Sequence, residues 1–359
     1  MNLPSHNSPP LRILVVDDSA LYRKVVRSVL EQLPNVEVIG HAQNGRLALD
    51  RIIAERPDVI TLDMEMPELD GLGLLRELGE RKIQLCSIMI STLTAAGAQA
   101  TSEALQLGAF DFVLKPTLPD INANERQLRA DLGPRIEACR AVRGRRGSAR
   151  PKPTAPTRTP AASLQRTPEL IGIGVSTGGP LALNKLLPLL SPQTPPVVIV
   201  QHMPPIFTKT LADDLNRRCQ IEVVEGYHGM TVQRGRAIIA PGGKQMRVAR
   251  DERRTYIEIT DDPPERNCRP AVDYLFRSIA AEYGEKAWGV ILTGMGGDGT
   301  LGCRTMKDRG AAILAQDEAT CVVYGMPRAV AEAGLVDNVG PLETIAARIN
   351  ESLLVGASA

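Results

Sequence analysis

Three carboxylates and one serine occupy positions that suggest chemistry. Asp17 and Asp18 directly follow the apolar run Leu11–Val16, and Asp63 directly follows Val59–Leu62. Each run has strand length, so the acids stand at strand ends. Lys115 closes a similar run, Ala109–Leu114, and Ser91 and Thr92 follow Ser87–Ile90. As parallel neighbours, these strands would bring all the side chains to one sheet edge. Carboxylates that close stay ionised together only around a cation, and open oxygen ligation of this kind suits Mg²⁺. The cluster would then hold a metal, a nucleophilic carboxylate, a lysine to balance incoming phosphate, and a hydroxyl. Taken singly, Asp and Ser after strands are more often turn residues or helix caps. Their recurrence at successive strand ends is what favours a site.

Ser176 follows the run Leu170–Val175 and opens Ser176-Thr177-Gly178-Gly179-Pro180, after which a helical pattern runs through Leu187. A serine on such a strand-to-helix turn is exposed at the sheet edge, where the helix N-terminus favours developing negative charge. Neither a dinucleotide nor a P-loop fingerprint is completed here. Alone, the loop would serve an anion as well as a nucleophile. A nucleophilic serine needs a base, and the chain has four histidines. His6 lies in the N-terminal tail and His41 in the first half, leaving His202 and His228. His202 directly follows Val197–Gln201, the next strand after the serine's, whereas His228 sits in a later loop. Position favours His202 over a merely structural histidine. Asp298 follows Val290–Thr293 within Gly294-Met295-Gly296-Gly297-Asp298-Gly299. It reads as a turn residue alone and as the orienting acid of a triad in company.

The elements that must carry these residues alternate. In the first half, strand-length runs at Leu11–Val16, Val36–Gly40, Val59–Leu62, Ser87–Ile90 and Ala109–Leu114 are separated by helical patterns such as Tyr22–Leu33 and Arg46–Glu55. This is the pattern of a parallel sheet covered on both faces, whose ligands bind beyond the carboxyl ends of the strands. The second half repeats it with Leu170–Val175, Val197–Gln201, Glu222–Glu225, Ala237–Ala240, Val290–Thr293 and Ala311–Ala315. Gln245–Val248 and Thr255–Ile259 flank a polar turn and predict an inserted β-hairpin. Between the halves, Ala141–Gln165 is rich in Pro, Ala, Thr and Arg with almost no large apolar residue. It cannot bury enough surface to offset ordering, which predicts a linker.

Composition narrows the classes. At 359 residues, two domains are expected, and a net charge of +1 argues against a broad nucleic-acid surface. No apolar stretch is long enough to span a membrane, and the polar N-terminus has no signal-sequence pattern. Six scattered cysteines, with no C-x-x-C pair, fit neither a disulfide framework nor a zinc motif and suit a reducing cytoplasm.

The stretches LVVDDS, TLDMEMPELDGL and LKP, spread over Leu11–Leu132, resemble the response-regulator receiver family. The resemblance implies a (βα)5 flavodoxin-like receiver in which Asp63 accepts a phosphoryl group from a histidine kinase. It also implies Mg²⁺ held by Asp17, Asp18, Asp63 and the Glu65 carbonyl, phosphoryl contacts from Lys115 and Ser91, Phe112 as the switch aromatic, and a cis Lys115–Pro116 bond. IGVSTGGP, VQHMP, PGG, RPAVDYLF and ILTGMGGDG, over Glu169–Leu354, are similar to the catalytic domain of the chemotaxis protein-glutamate methylesterase family, CheB. That resemblance implies a doubly wound, mainly parallel α/β domain with a Ser176–His202–Asp298 triad, the Met295 amide as oxyanion donor, and Thr177 supporting the histidine. The sequence departs from the family at GVSTGG, where GASTGG is common, and at ERNCRP, which carries Cys268. Domains are expected at 11–133 (receiver), 134–166 (helix end and linker) and 167–355 (methylesterase). The implied activity is hydrolysis of glutamate methyl esters, with glutamine deamidation, on chemoreceptors, switched on by phosphorylation of a receiver that otherwise covers the esterase cleft. The expected protein is a cytoplasmic monomer that binds no nucleic acid, does not insert into membranes and needs no cofactor for ester hydrolysis. A transcriptional regulator would need a helix-turn-helix output domain, which is not recognisable. A catalytically silent receptor-binding scaffold is disfavoured by the complete triad.

Overall fold

The computed structural model describes residues 9–117, 120–147, 164 and 166–355, which fall in two compact units divided near Ala149. In the first unit, β1 (Leu11–Val16), β2 (Val36–Ala42), β3 (Val59–Asp63), β4 (Cys86–Ser91) and β5 (Asp111–Leu114) form a parallel sheet in the order β2-β1-β3-β4-β5. Helices α1 (Ala20–Glu31), α2 (Gly45–Glu55), α3 (Gly71–Glu80), α4 (Ala95–Gln106) and α5 (Ile121–Gly147) make the connections. This is the flavodoxin-like order, with its reversal between β1 and β3. Ser19, Asn44, Asp70 and Thr94 each cap the helix that follows by accepting a backbone N–H, so the polar residue after each strand also starts a helix.

The second unit is built on β6 (Leu170–Val175), α6 (Gly179–Leu186), β7 (Val197–Gln201), α7 (Phe207–Asn216), β8 (Glu222–Glu225), β9 (Arg236–Ile239), the hairpin β10 (Gln245–Arg250) and β11 (Thr255–Thr260), α8 (Val272–Tyr283), β12 (Ala287–Ile291), α9 (Thr300–Asp308), β13 (Ala312–Gln316), α10 (Met326–Glu332), β14 (Asn338–Gly340) and α11 (Leu342–Val355). Its seven-stranded sheet runs β14-β13-β12-β6-β7-β9-β8, parallel throughout. The chain leaves β6 toward β7 and later returns to β12 on the other side, so the topological switch lies at β6. The hairpin forms its own antiparallel pair and packs on α8. A core of Leu170, Val198, Ile238, Phe276, Ile279 and Ile313 joins the sheet to the hairpin and α8.

Several expectations are revised. Helix α5 continues through Gly147, so the first residues of the expected linker are helical, and most of the rest lies outside the described residues. The last turns of α5 are anchored by Arg140, which donates to Pro34 O, and by Arg143, which donates to Pro10 O and pairs with Asp58. β12 begins at Ala287, earlier than the expected Val290, and Leu292 and Thr293 lead into the glycine loop. β14 was not anticipated. The Lys115–Pro116 bond is not cis, the cis bond among the described residues being Arg269–Pro270. Trans is the lower-energy state of an X–Pro bond unless its surroundings oppose it. Among the described residues, no helix is long and apolar enough to cross a membrane.

Candidate functional site

The strand ends of the first sheet gather the expected acids. Asp17 and Asp63 are buried and Asp18 is exposed, and one oxygen from each lies within 4.8 Å of the others. Lys115 Nζ bridges the two buried acids, 2.7 Å from Asp63 Oδ2 and 3.2 Å from Asp17 Oδ2. Asp63 Oδ1 accepts the Met64 N–H at 2.8 Å, and Asp17 Oδ1 accepts that of Ser19 at 2.8 Å. Burial, and then the Asp63 charge, push Asp17 up to about 6. Burial opposes the charge on Lys115, but the two carboxylates outweigh it and raise its pKa. A cavity of about 190 Å³ opens beside the acids, lined by Asp18, Asp63, Glu65, Thr92 and Lys115 among others. Three convergent carboxylates, one of them holding a proton too tightly for an ordinary Asp, fit a hard divalent cation such as Mg²⁺.

Ser91 is buried and its hydroxyl faces α4, bonded to Gly97 O at 3.2 Å and to Thr101 Oγ1 at 2.8 Å. The neighbouring Thr92 lines the cavity instead. Phe112 is buried on β5, paired in register with Met89. Tyr22, which the sequence reading passed over, packs its ring 4.9 Å from Lys115 Nζ. Its buried hydroxyl has no hydrogen-bond partner among the described residues, and burial together with Asp17 and Asp63 raises its pKa.

In the second sheet, register sets the geometry. Val175 of β6 pairs with Gln201 of β7, so Ser176 and His202 leave adjacent strands side by side, and His202 N donates to Val175 O at 3.2 Å. Parallel neighbours lie about 4.8 Å apart, which brings the backbones of the two residues side by side. Ser176 is held by its backbone: its N–H donates to Thr293 O at 3.0 Å, and its carbonyl accepts Gly179 N at 2.7 Å and Gln201 Nε2 at 3.0 Å. Gly178 turns the chain at φ +76°. Gly179 is required for space, because a Cβ there would lie 1.9 Å from Gln201 Oε1.

Asp298 comes from the far side of β6, beyond β12, and its Oδ2 lies 2.8 Å from His202 Nε2. The same carboxylate takes the N–H groups of Val272 at 2.7 Å, Asp273 at 2.9 Å and Gly299 at 2.9 Å. Ala271, at the start of α8, has no side chain to cap it, so Asp298 supplies the cap from another element. Burial works to raise Asp298, but His202 and these amides outweigh it and hold it below the usual carboxylate range. Burial likewise works against a charged His202, but the hydrogen bond the ring donates to Asp298, together with the Cys268 sulfur, overcomes it and raises the ring's pKa. With Nε2 turned to Asp298, Nδ1 is the nitrogen left to receive a proton. Ser176 Oγ makes no hydrogen bond among the described residues, so the serine and the histidine leave neighbouring strand ends without being bonded.

The glycine loop closes on the serine, since a Cβ on Gly294 would stand 2.8 Å from Ser176 Cβ. The next residue, Met295, is half-buried, and its N–H has no protein acceptor among the described residues. Thr177 is buried, and its carbonyl accepts the Thr293 hydroxyl at 2.9 Å. His228 is exposed and lies 3.4 Å from Ile259 O, within the hairpin region. Asp273, unremarked as a single residue within RPAVDYLF, is buried beside Asp298 and accepts Gly302 N at 2.7 Å, tying α8 to α9. Burial raises its carboxyl, with the Asp298 charge adding to the effect. Gln201 was also missed, although a polar residue closing a buried apolar strand is a readable signal.

Known proteins match both units. Residues 171–349 match the CheB methylesterase family and residues 13–123 the response regulator receiver domain. A protein-glutamate methylesterase/protein-glutamine glutaminase of Desulfotalea psychrophila is 46% identical over 356 residues, covering 94% of this chain and 97% of that protein. One from Nocardioides sp. is 45% identical over 344 residues, covering 93% of each. The crystal structure of the Thermotoga maritima CheB methylesterase catalytic domain, 39% identical, superposes with a TM-score of 0.50 over 51% of this chain and 98% of that one.

Proposed function

Because the chain belongs to the CheB methylesterase family and carries a response-regulator receiver domain ahead of its catalytic domain, we propose that it is a phosphorylation-controlled esterase. It hydrolyses glutamate methyl esters on chemoreceptors, releasing methanol, and deamidates glutamines through the same intermediate. The pathway is chemotaxis adaptation or a related chemosensory circuit. The observation that carries this reading is the shared register of Ser176 and His202 with Asp298 fixed on Nε2.

Ser176 Oγ attacks the ester carbonyl as His202 Nδ1 removes its proton, and Asp298 stabilises the imidazolium. The oxyanion meets the Met295 N–H, and Thr177 supports the histidine. His202 then gives its proton to departing methanol. Water, activated by the same nitrogen, releases the glutamate carboxylate and frees Ser176.

Control lies in the first unit. Asp63 accepts the phosphoryl group of a chemotaxis-type histidine kinase, and Lys115 balances its charge. Mg²⁺ held by Asp17, Asp18, Asp63 and the Glu65 carbonyl would neutralise charge on the transferred group. Ser91 and Phe112 relay the change, which requires the Ser91 hydroxyl to leave Gly97 and Thr101. We place the receiver at 11–133, a connecting helix end and linker at 134–166 and the methylesterase at 167–355, in a cytoplasmic monomer.

Methanol release from methylated receptor membranes, with and without Mg²⁺ and acetyl phosphate, tests both halves. Ser176→Ala should lose turnover by about 10⁶-fold, while Asp63→Asn should lose only the stimulation. Turnover surviving in Ser176→Ala would place the nucleophile elsewhere.

A further inference from the structure

Cys268 has no part in the reaction above, yet its sulfur faces the histidine nitrogen that the reaction needs. Cys268 Sγ lies 3.8 Å from His202 Nδ1. Donor atoms of Cys268, His202 and Asp298 all lie within 4.8 Å of one another. A tight turn presents the cysteine: Arg266 and Asn267 sit at φ +47° and +63°, and Glu265 and Cys268 exchange backbone hydrogen bonds at 3.0 and 2.7 Å.

The chemistry of these three groups matches a metal site. Asp298 Oδ2 holds Nε2 at 2.8 Å, which places the N–H there and leaves a lone pair on Nδ1. A histidine that ligates a metal through one nitrogen usually donates the other N–H to a carboxylate. Asp298 is already occupied by the amides of Val272, Asp273 and Gly299, so it would act as that outer carboxylate and not as a ligand. Bonds of about 2.3 Å to sulfur and about 2.0 Å to nitrogen span a tetrahedral centre with the two donors roughly 3.5 Å apart, so the observed gap is nearly the right one.

We propose that Cys268 Sγ and His202 Nδ1 bind a thiophilic divalent cation of the Zn²⁺ class, and that the bound ion closes the esterase. Water completes the tetrahedron, and on binding the thiol proton, with the Nδ1 proton of a charged ring, passes to solvent. The sulfur donor selects against Mg²⁺, so the acidic cluster of the first unit and this site sort the two metals by ligand type. Closure rests on the esterase reading, because the ion occupies the nitrogen that must take the Ser176 proton. The metal site itself does not depend on that reading.

Co²⁺ added to the full-length protein in excess Mg²⁺ should give a thiolate-to-cobalt charge-transfer band at one equivalent, displaced by Zn²⁺. Cys268→Ser and His202→Gln should lose the band, and Cys219→Ser, altering the other half-buried cysteine, should keep it. Asp298→Asn should weaken Co²⁺ binding about 10–100-fold. In the methanol assay, Zn²⁺ should inhibit the unaltered protein, reversibly with chelator. Cys268→Ser, compared with its own metal-free rate, should resist. A missing band, or one that survives in Cys268→Ser, overturns the site. A Cys268-dependent band with undiminished turnover overturns the closure. Absence of metal-free turnover would count against the esterase reading, while the spectrum still decides the site.

Discussion

Asp298 restrains the ring it faces in two ways. Its hydrogen bond fixes the His202 tautomer, and the same bond, helped by the Cys268 sulfur, raises the pKa of the ring against the opposing effect of burial. A base must be neutral to take a proton, so a raised pKa moves the ascending limb of the pH–rate profile upward. For kcat/KM we expect that limb above the ordinary histidine range, near 6.5. Asp298→Asn should lower the limb, because burial then acts unopposed by the carboxylate, and should reduce kcat by about 10⁴-fold through the lost tautomer. A limb that stays in place in Asp298→Asn would mean that another group titrates. Ser176→Ala should be thermally indistinguishable from the parent, within about 0.5 kcal/mol, since Ser176 Oγ makes no hydrogen bond among the described residues and the turn is held by backbone and Gln201.

Helix α8 is the element on which the proposed triad depends, and it lies as close to β6 as glycine allows. A Cβ on Gly174 would stand 2.4 Å from Val272 Cγ1, and one on Gly172 would stand 2.6 Å from Ile279 Cδ1. The amides of Val272 and Asp273 that hold Asp298 are in the first turn of this helix. Gly174→Ala should therefore cost roughly 1–3 kcal/mol in urea unfolding and lower kcat more than it changes KM. Unaltered kcat at reduced stability would separate the packing from the catalysis. This dependence is invisible in the sequence, where Gly172 and Gly174 read only as small residues in an apolar strand. The strand ends were legible because apolar runs stop at Asp17, Asp63 and Ser176, and at Gln201 just before His202. The hairpin was legible from its polar turn. β14 was not, because Asn338–Gly340 is a three-residue edge strand without an apolar run. The helical start of the expected linker was hidden as well. Its arginines form no apolar stripe, and the helix there is extended from an already formed α5, which costs little once nucleated.

At the scale of the whole molecule, the proposed Mg²⁺ site gives the stability of the first unit a pH dependence. Asp17 is raised to about 6 by burial and by Asp63. Its unfolded value is near 3.9, so the folded first unit binds the extra proton in the interval between the two. That contribution to stability is complete below the unfolded value and is lost as pH rises through about 6. Above that pH two charged carboxylates face each other with Lys115 between them, and Mg²⁺, bound as proposed, would relieve the repulsion. Added Mg²⁺ should therefore raise the melting temperature of the first unit more at pH 8 than at pH 5, where it must first displace a proton. Asp17→Asn should weaken the Mg²⁺ effect and flatten its pH dependence. A chain beginning at Leu164, which lacks the acidic cluster, should show no Mg²⁺ shift at either pH. If the receiver restrains the esterase until Asp63 is phosphorylated, that shortened chain should also release methanol faster than the unphosphorylated full-length protein. Equal Mg²⁺ shifts at the two pH values would remove Asp17 from the ligand set, because a ligand that holds its own proton cannot bind a cation without a pH-dependent cost.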